Sequence, residues 1–243
     1  MLEDLTALDS YGWEALKKSL NQRIVLNRVR LVPSKKNRVW IAETDVRPVV
    51  VKRSLTGNCG TEFEALLMAR QNSVAVPYPL WKEDDYLVLE YVPGDSCEVL
   101  INCMFSSEAA EGIGSWLSGF HRKLGSGDQT RIMGDAVLSN FIMADGGIFG
   151  VDLEDSRLGD PLDDLGQISA SMLGSEPFFT PVKFDLCLRL IESYDRASST
   201  DSRERVRPYV SKHLRQDAKA KPLFRRTLVA AAHSLEKGWP ELD

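Results

Sequence analysis

Apolar positions recur along this chain with two periods, and the change from one to the other divides it. Across residues 24–31, Val25, Asn27, Val29 and Leu31 alternate with Leu26, Arg28 and Arg30, and short apolar runs follow at residues 39–42, 49–51 and 86–91. A two-residue period bounded by polar turns predicts strands, and a succession of short ones predicts an antiparallel sheet. Two helices fall within the same part. One covers residues 5–20, with Leu5, Leu8, Ala15, Leu16 and Leu20 as its apolar contacts and Asn21 at its end; the other covers residues 61–70, with Phe63, Leu66 and Leu67 on one face. Pro93-Gly94 closes this half.

Beyond that break the spacing lengthens to three and four residues, the period of a helix face. Residues 95–107 read as a loop with a short apolar helix; Ile113, Leu117, Phe120 and Leu124, with Trp116, mark a strong helix over 108–124. Gly112, Gly114 and Gly119 interrupt it, each at a cost of about 1 kcal/mol against Ala, so tertiary packing must hold it. Further helices are predicted over 165–173, across Phe184, Cys187, Leu188, Ile191 and Tyr194, and across Leu223, Thr227, Leu228, Ala231 and Leu235, with Trp239 anchoring the tail.

Composition narrows the class. A chain of 243 residues with 43% hydrophobic and 27% charged residues is an ordinary globular protein, long enough for two small lobes. A net charge of -5 gives no signal for nucleic acid as a partner. Cys59, Cys97, Cys103 and Cys187 form no close pair, so they read as reduced structural thiols rather than a zinc site. The first residues lack the basic-then-apolar pattern of a signal peptide, and no apolar run reaches the ~18 residues of a membrane span. The expectation is a cytoplasmic protein with no membrane partner.

The chemistry concentrates in residues 133–164. Asp135 is followed five residues on by Asn140; after a Gly-rich turn an apolar strand, residues 148–151, ends in Asp152. Glu154, the turn Gly159-Asp160-Pro161 and the pair Asp163-Asp164 at the start of an apolar helix complete the stretch. Phosphoryl transfer needs a carboxylate near the accepting hydroxyl, with an amide oxygen and a second carboxylate on Mg2+. Asp135, Asn140 and Asp152 supply that set in that order.

These segments resemble the aminoglycoside phosphotransferase and choline kinase branch of the protein-kinase-like fold. That family writes its catalytic loop HGDxxxxN, against Met133-Gly134-Asp135 to Asn140 here. It writes its metal segment as an apolar strand, Asp, an apolar residue and Glu, then Gly-Asp-Pro and Asp-Leu, against Val151-Asp152-Leu153-Glu154, Gly159-Asp160-Pro161 and Asp164-Leu165. Met133 departs from the family's His. The resemblance implies an α+β, two-lobed architecture. Residues 1–92 would form an antiparallel-sheet lobe that binds nucleotide, and residues 93–243 a helical lobe with catalytic loop, metal site and acceptor site.

The resemblance also distributes roles. Asp135 is the expected base, Asn140 and Asp152 the Mg2+ ligands, and Lys52 the residue that holds ATP phosphates, Arg53 facing the other way along a strand. Glu64 is expected to pair with Lys52, with Glu62 as its rival on a different helix face. The backbones of Glu90 and Val92 are placed at adenine. Lys35 and Lys36 would bring charge to the phosphates from the turn Pro33-Ser34-Lys35-Lys36-Asn37, which has no glycine; the alternative for them is a solvated turn. Asp164 is expected to hold the catalytic loop from behind, His121 to support it, and Glu154, where protein kinases carry Gly, to mark the small-molecule branch. Arg203–Arg226 carries nine Lys or Arg and two acidic residues, read as a solvated face.

The function implied is transfer of the γ-phosphate of ATP to a hydroxyl of a small molecule. Two alternatives stand beside it. One is a compact kinase acting on protein, suggested by the basic C-terminal third. The other is a catalytically silent binding protein, suggested by the glycine-free turn and Met133. Only eleven residues separate Asp152 from Asp164, too few for the activation segment of protein kinases. Sequence leaves the acceptor and the oligomeric state open.

Overall fold

The structure, a computed structural model, describes residues 8–20, 24–34, 36–55, 57, 59–125 and 129–241. It divides into two compact units: Met1–Gln71 with Val76–Pro93, and Asn72–Ala75 with Gly94–Asp243.

The first unit contains α1 (Ser10–Leu20), β1 (Leu26–Val32), β2 (Asn37–Thr44), β3 (Val49–Ser54), α2 (Cys59–Gln71), β4 (Pro79–Glu83) and β5 (Tyr86–Glu90). The strands form one antiparallel sheet in the order β1-β2-β3-β5-β4. Helix α1 begins where Asp9 accepts the Gly12 amide at 2.8 Å, an acceptor for one of the orphan donors of a helix start. The expected start at residue 5 and the end at Asn21 lie outside the described residues. The core gathers Ala15 and Leu16 of α1 with Trp40, Ala42, Val49, Val51, Tyr86 and Val88 of the sheet. Strand β1 departs from simple alternation. An irregularity between Leu26 and Arg28 shifts its register, so Leu26, Val29 and Leu31 face the core while Val25 is 61% exposed. A bulge adds one residue to a strand and reverses the side on which later residues fall.

The second unit contains β6 (Asp95–Ser96), α3 (Cys97–Asn102), α4 (Ser107–Lys123), β7 (Thr130–Ile132), β8 (Phe141–Ala144), β9 (Gly147–Gly150), β10 (Arg157–Gly159), α5 (Pro161–Leu173), α6 (Pro181–Ser198), α7 (Arg207–Ala220) and α8 (Arg225–Lys237). Strands β6, β8 and β9 make one small sheet, and β7 pairs with β10. The expected helix over 165–173 starts earlier, because Asp160 caps it by accepting the Leu162 amide at 3.0 Å and Pro161 occupies its first turn. Asp163 and Asp164 therefore sit inside the first turn. A proline just inside a start needs no partner for its missing N–H.

Close packing explains one interruption of α4. A Cβ on Gly114 would come within 2.1 Å of the Leu190 carbonyl of α6, so glycine is what lets the two helices approach. Trp116 stacks on Phe120 at 5.1 Å and meets Phe141 of β8 edge-on at 5.4 Å, tying α4 to the small sheet. Trp239 donates to the Arg203 carbonyl at 3.0 Å, fastening the tail. Four of the nine basic residues of the stretch Arg203–Arg226 are paired within the unit: Arg207 with Glu204, Lys212 with Asp163, Arg215 with Glu236 and Lys221 with Asp217. All four cysteines are free; burial pushes Cys59 up to about 11 and Cys97 and Cys187 to about 12, which keeps those three as thiols. No helix among the described residues is long and apolar enough to cross a membrane.

Candidate active site

In the first unit the decisive contact is between β3 and α2. Val49 and Val51 turn into the core with no exposure, and Lys52, between strand neighbours of opposite face, is 5% exposed. Its ammonium lies 2.7 Å from Glu62, itself 1% exposed. Arg53 goes the other way, to Asp9 at 3.2 Å and over the ring of Tyr86. Glu64 is not the partner expected from sequence: it is exposed, and Glu62 holds the position. The buried stripe of α2 runs Cys59, Glu62, Ala65, Leu66 and Ala69. Two residues further along a helix turn a side chain about 200° away, so Glu64 leaves that stripe.

Glu90 makes contacts within its own unit, accepting the Tyr78 amide just before β4 at 3.0 Å and pairing with Arg70 of α2 at 3.2 Å, and Val92 is 7% exposed. In the turn between β1 and β2, the Asn37 amide donates to the Ser34 hydroxyl at 3.3 Å, and Lys36 is exposed. Lys35 lies outside the described residues.

In the second unit the segment 133–138 is bonded to α5 along one face. Asp164, 1% exposed, accepts the Met133 amide at 2.6 Å and the Gly134 amide at 2.9 Å. One turn on, the Gln167 carboxamide accepts the Ala136 amide at 3.0 Å and donates to the Asp135 carboxylate at 3.1 Å. A further turn on, the Ser171 hydroxyl accepts the Leu138 amide at 3.2 Å. Gly134 adopts φ 78, and a Cβ there would stand 2.3 Å from the Asp155 carbonyl, so the turn into Asp135 requires glycine.

The three residues read as a phosphoryl-transfer set come together here. Asn140 is 9% exposed; its side-chain amide donates to the Asp135 carbonyl at 2.9 Å, and its own carbonyl accepts the Val151 amide at 2.9 Å. With the nitrogen end committed, the amide oxygen of Asn140 is the atom turned away from Asp135. Asp152 follows Val151 directly and sits at φ 64, a left-handed backbone that a non-glycine residue seldom adopts. The β7–β10 pairing, with Ser156 donating to the Ile132 carbonyl at 3.0 Å, holds the two segments in register. Glu154 is 6% exposed.

His121 of α4 backs this arrangement. One ring nitrogen lies 3.0 Å from Asp164 and the other 3.1 Å from the Tyr194 hydroxyl. Burial, and then the charge of Asp164, push the Tyr194 phenol up to about 12, so it stays a donor. Contacts at both ring nitrogens lock the imidazole as a support. Met133 has no exposure, and it joins the core while its backbone meets Asp164.

No protein-family model matches the chain, and no curated protein matches it in sequence. Solved structures do. Amicoumacin kinase hAmiN, in complex with AMP-PNP and Ca2+, superposes with a TM-score of 0.68 at 11% identity, over 98% of this chain and 95% of that one. Choline kinase LicA from Streptococcus pneumoniae gives 0.64 at 15% identity, over 93% of this chain and 99% of that one. The streptomycin–ATP ternary complex of APH(2'')-IIa gives 0.63 at 13% identity, over 94% and 99%.

The chain has the protein-kinase-like fold of aminoglycoside phosphotransferases and choline kinases. Within that kinase-like fold, sequence reasoning ranked Glu62 behind Glu64 and missed three residues: Gln167, Ser171 and Tyr194. Gln167 and Ser171 carried a signal, for they lie three and seven residues after Asp164, on the helix face that Asp164 already turns to the loop. Tyr194 was legible only as an apolar face residue of α6.

Proposed function

We propose that this chain is a Mg2+-dependent phosphotransferase that moves the γ-phosphoryl group of ATP to a hydroxyl of a small molecule. The observation that carries the reading is the network in which Asn140 bonds Asp135 through its side chain and Val151, the neighbour of Asp152, through its backbone. Asp135 accepts, or orients, the hydroxyl proton of the acceptor. The hydroxyl oxygen forms the new bond to the γ-phosphorus, the bond to the bridging oxygen breaks, and ADP leaves. Lys52, fixed by Glu62, holds the nucleotide phosphates.

The donor set fits a divalent ion, for a carboxylate at Asp152 and an amide oxygen at Asn140 are the hard ligands that Mg2+ takes. Mg2+ bound there would neutralise charge on the phosphates. The short chain between Asp152 and Asp164 favours a small acceptor. Its residues are spent on the Ser156 contact, strand β10 and the Asp160 cap, leaving none for a segment that docks protein. Neighbours of the same fold are named for amicoumacin, choline and aminoglycosides, all small molecules.

Two variants test the reading. Asp135→Asn is expected to fold, to bind Mg-ATP like wild type and to lose roughly 10^2-fold or more in turnover of bound ATP, the range for positioned acid–base groups. Asp152→Ala is expected to lose the Mg2+ dependence of fluorescent-nucleotide binding. Equal nucleotide affinity in wild type and Asp152→Ala, with and without Mg2+, would contradict the proposal.

A further inference from the structure

We propose that Gln167 is a positioning residue for Asp135, its carboxamide fixing at once the direction of the carboxylate and the backbone that carries it. The inference rests on the phosphotransfer reading given above. It stands on two hydrogen bonds from one side chain: Gln167 Nε2 donates to Asp135 Oδ1 at 3.1 Å, and Gln167 Oε1 accepts the Ala136 amide at 3.0 Å. An aspartate side chain turns about two bonds, Cα–Cβ and Cβ–Cγ, and the contact with Gln167 restrains both. The donor binds one carboxylate oxygen and so fixes the plane in which the other can meet a hydroxyl. The acceptor binds the next backbone amide and so fixes where that plane sits. The base of α5 is itself anchored by Asp164 to Met133 and Gly134, three residues before Gln167, so the reference frame is rigid.

The chemistry explains why a carboxamide serves and its isosteres do not. A Glu at 167 offers Ala136 the same acceptor, yet sets an anion against Asp135 in place of a donor. A Leu offers neither bond. A misplacement of about 1 Å at a reacting group costs as much as 10^2-fold in rate, so losing the fixed direction of Asp135 acts on turnover rather than on nucleotide binding.

The experiment measures kcat, KM for Mg-ATP and equilibrium Mg-ATP affinity for wild type, Gln167→Glu and Gln167→Leu, with water as the acceptor. The expected result is a fall in kcat of about 10-fold or more in both variants, with affinity within about twofold of wild type. Gln167→Glu showing wild-type kcat, with only Gln167→Leu impaired, would mean that the Ala136 bond alone matters and would overturn the inference. So would equal losses in affinity and kcat. A second readout is independent of turnover: the side-chain NH2 resonances of Gln167, by 15N correlation spectra, should move in Asp135→Asn. If they stay where wild type has them, the contact with the carboxylate is absent and the inference fails. Wild-type protein that neither binds nor hydrolyses Mg-ATP overturns the phosphotransfer reading instead, and the spectra still report whether the contact exists.

Discussion

At the scale of single residues, the pair Lys52–Glu62 decides more than its size suggests. Both side chains are nearly out of solvent, and removing one member of a buried pair leaves the other charge uncompensated, at about 3–5 kcal/mol. Glu62→Gln is therefore expected to destabilise the first unit by an amount of that order and, on the proposed function, to cut ATP turnover by about 10-fold or more, since it releases the lysine assigned there to the phosphates. Glu64→Gln, on the exposed face, should change neither by more than about 0.5 kcal/mol or twofold. Urea unfolding and single-turnover hydrolysis on the two variants check this, and the reverse ranking would restore Glu64. The error at Glu64 has a physical origin. A motif fixes the residue type, but which of two glutamates faces a strand depends on helix rotation, and that is set by what the whole stripe packs against. Lys52 against Arg53 was decidable because strand alternation has only two outcomes.

At the scale of elements, helix ends and helix contacts are separable in experiment. Asp160→Ala should remove the cap of α5 and cost about 1 kcal/mol. Gly114→Ala should cost about 1–3 kcal/mol by overpacking, although the same change in an open helix would gain about 1 kcal/mol. Guanidinium titrations of both variants read the signs directly; stabilisation by Gly114→Ala would mean that α4 and α6 do not approach as described. The periodicity of α4 and α6 was plain in the sequence because each buries one continuous face. In α8 the reading was only partly right: Leu228 and Leu235 are buried, but Thr227 is exposed and Leu223, 93% exposed, precedes the helix, where Ala232 completes the buried stripe instead. The start of α5 was not, since Gly159-Asp160-Pro161 has the composition of a turn and of a capped helix start alike. Nor was the bulge in β1, which only the pairing with β2 creates.

At the scale of the whole molecule, one buried charge makes stability depend on pH. Lys183 of α6 has no exposure and donates to Asn102, to the Met172 carbonyl and to Ser175, fastening α3 and the end of α5 to α6. Burial lowers its pKa from 10.5 to about 8. The unfolded chain therefore keeps the proton between pH 8 and 10.5 while the folded chain releases it. Stability is lowered in full below pH 8, and the deficit is relieved as pH rises through that window. Against Lys183→Met, wild type should gain in relative stability from pH 8 to pH 10; thermal unfolding at a series of pH values measures the gap, and a gap that stays flat would contradict the linkage. None of this was readable beforehand, because a lysine in an amphipathic helix is normally assigned to water. Asp135, Asn140 and Asp152 were readable because they sit within one short stretch, where sequence distance limits spatial distance. Gln167 and Tyr194 reach the same place from other helices.

Asp152 carries a consequence for the history of such a chain. Its φ of 64 is a conformation in which glycine is the least strained residue. Asp152→Gly should accordingly be the more stable of two inactive variants, Asp152→Ala the less stable. A lineage released from selection for catalysis would drift toward glycine there and gain in folding. A carboxylate at a backbone position that favours glycine is what the phosphotransfer reading expects at Asp152, and a folding gain in Asp152→Gly would measure what that carboxylate costs.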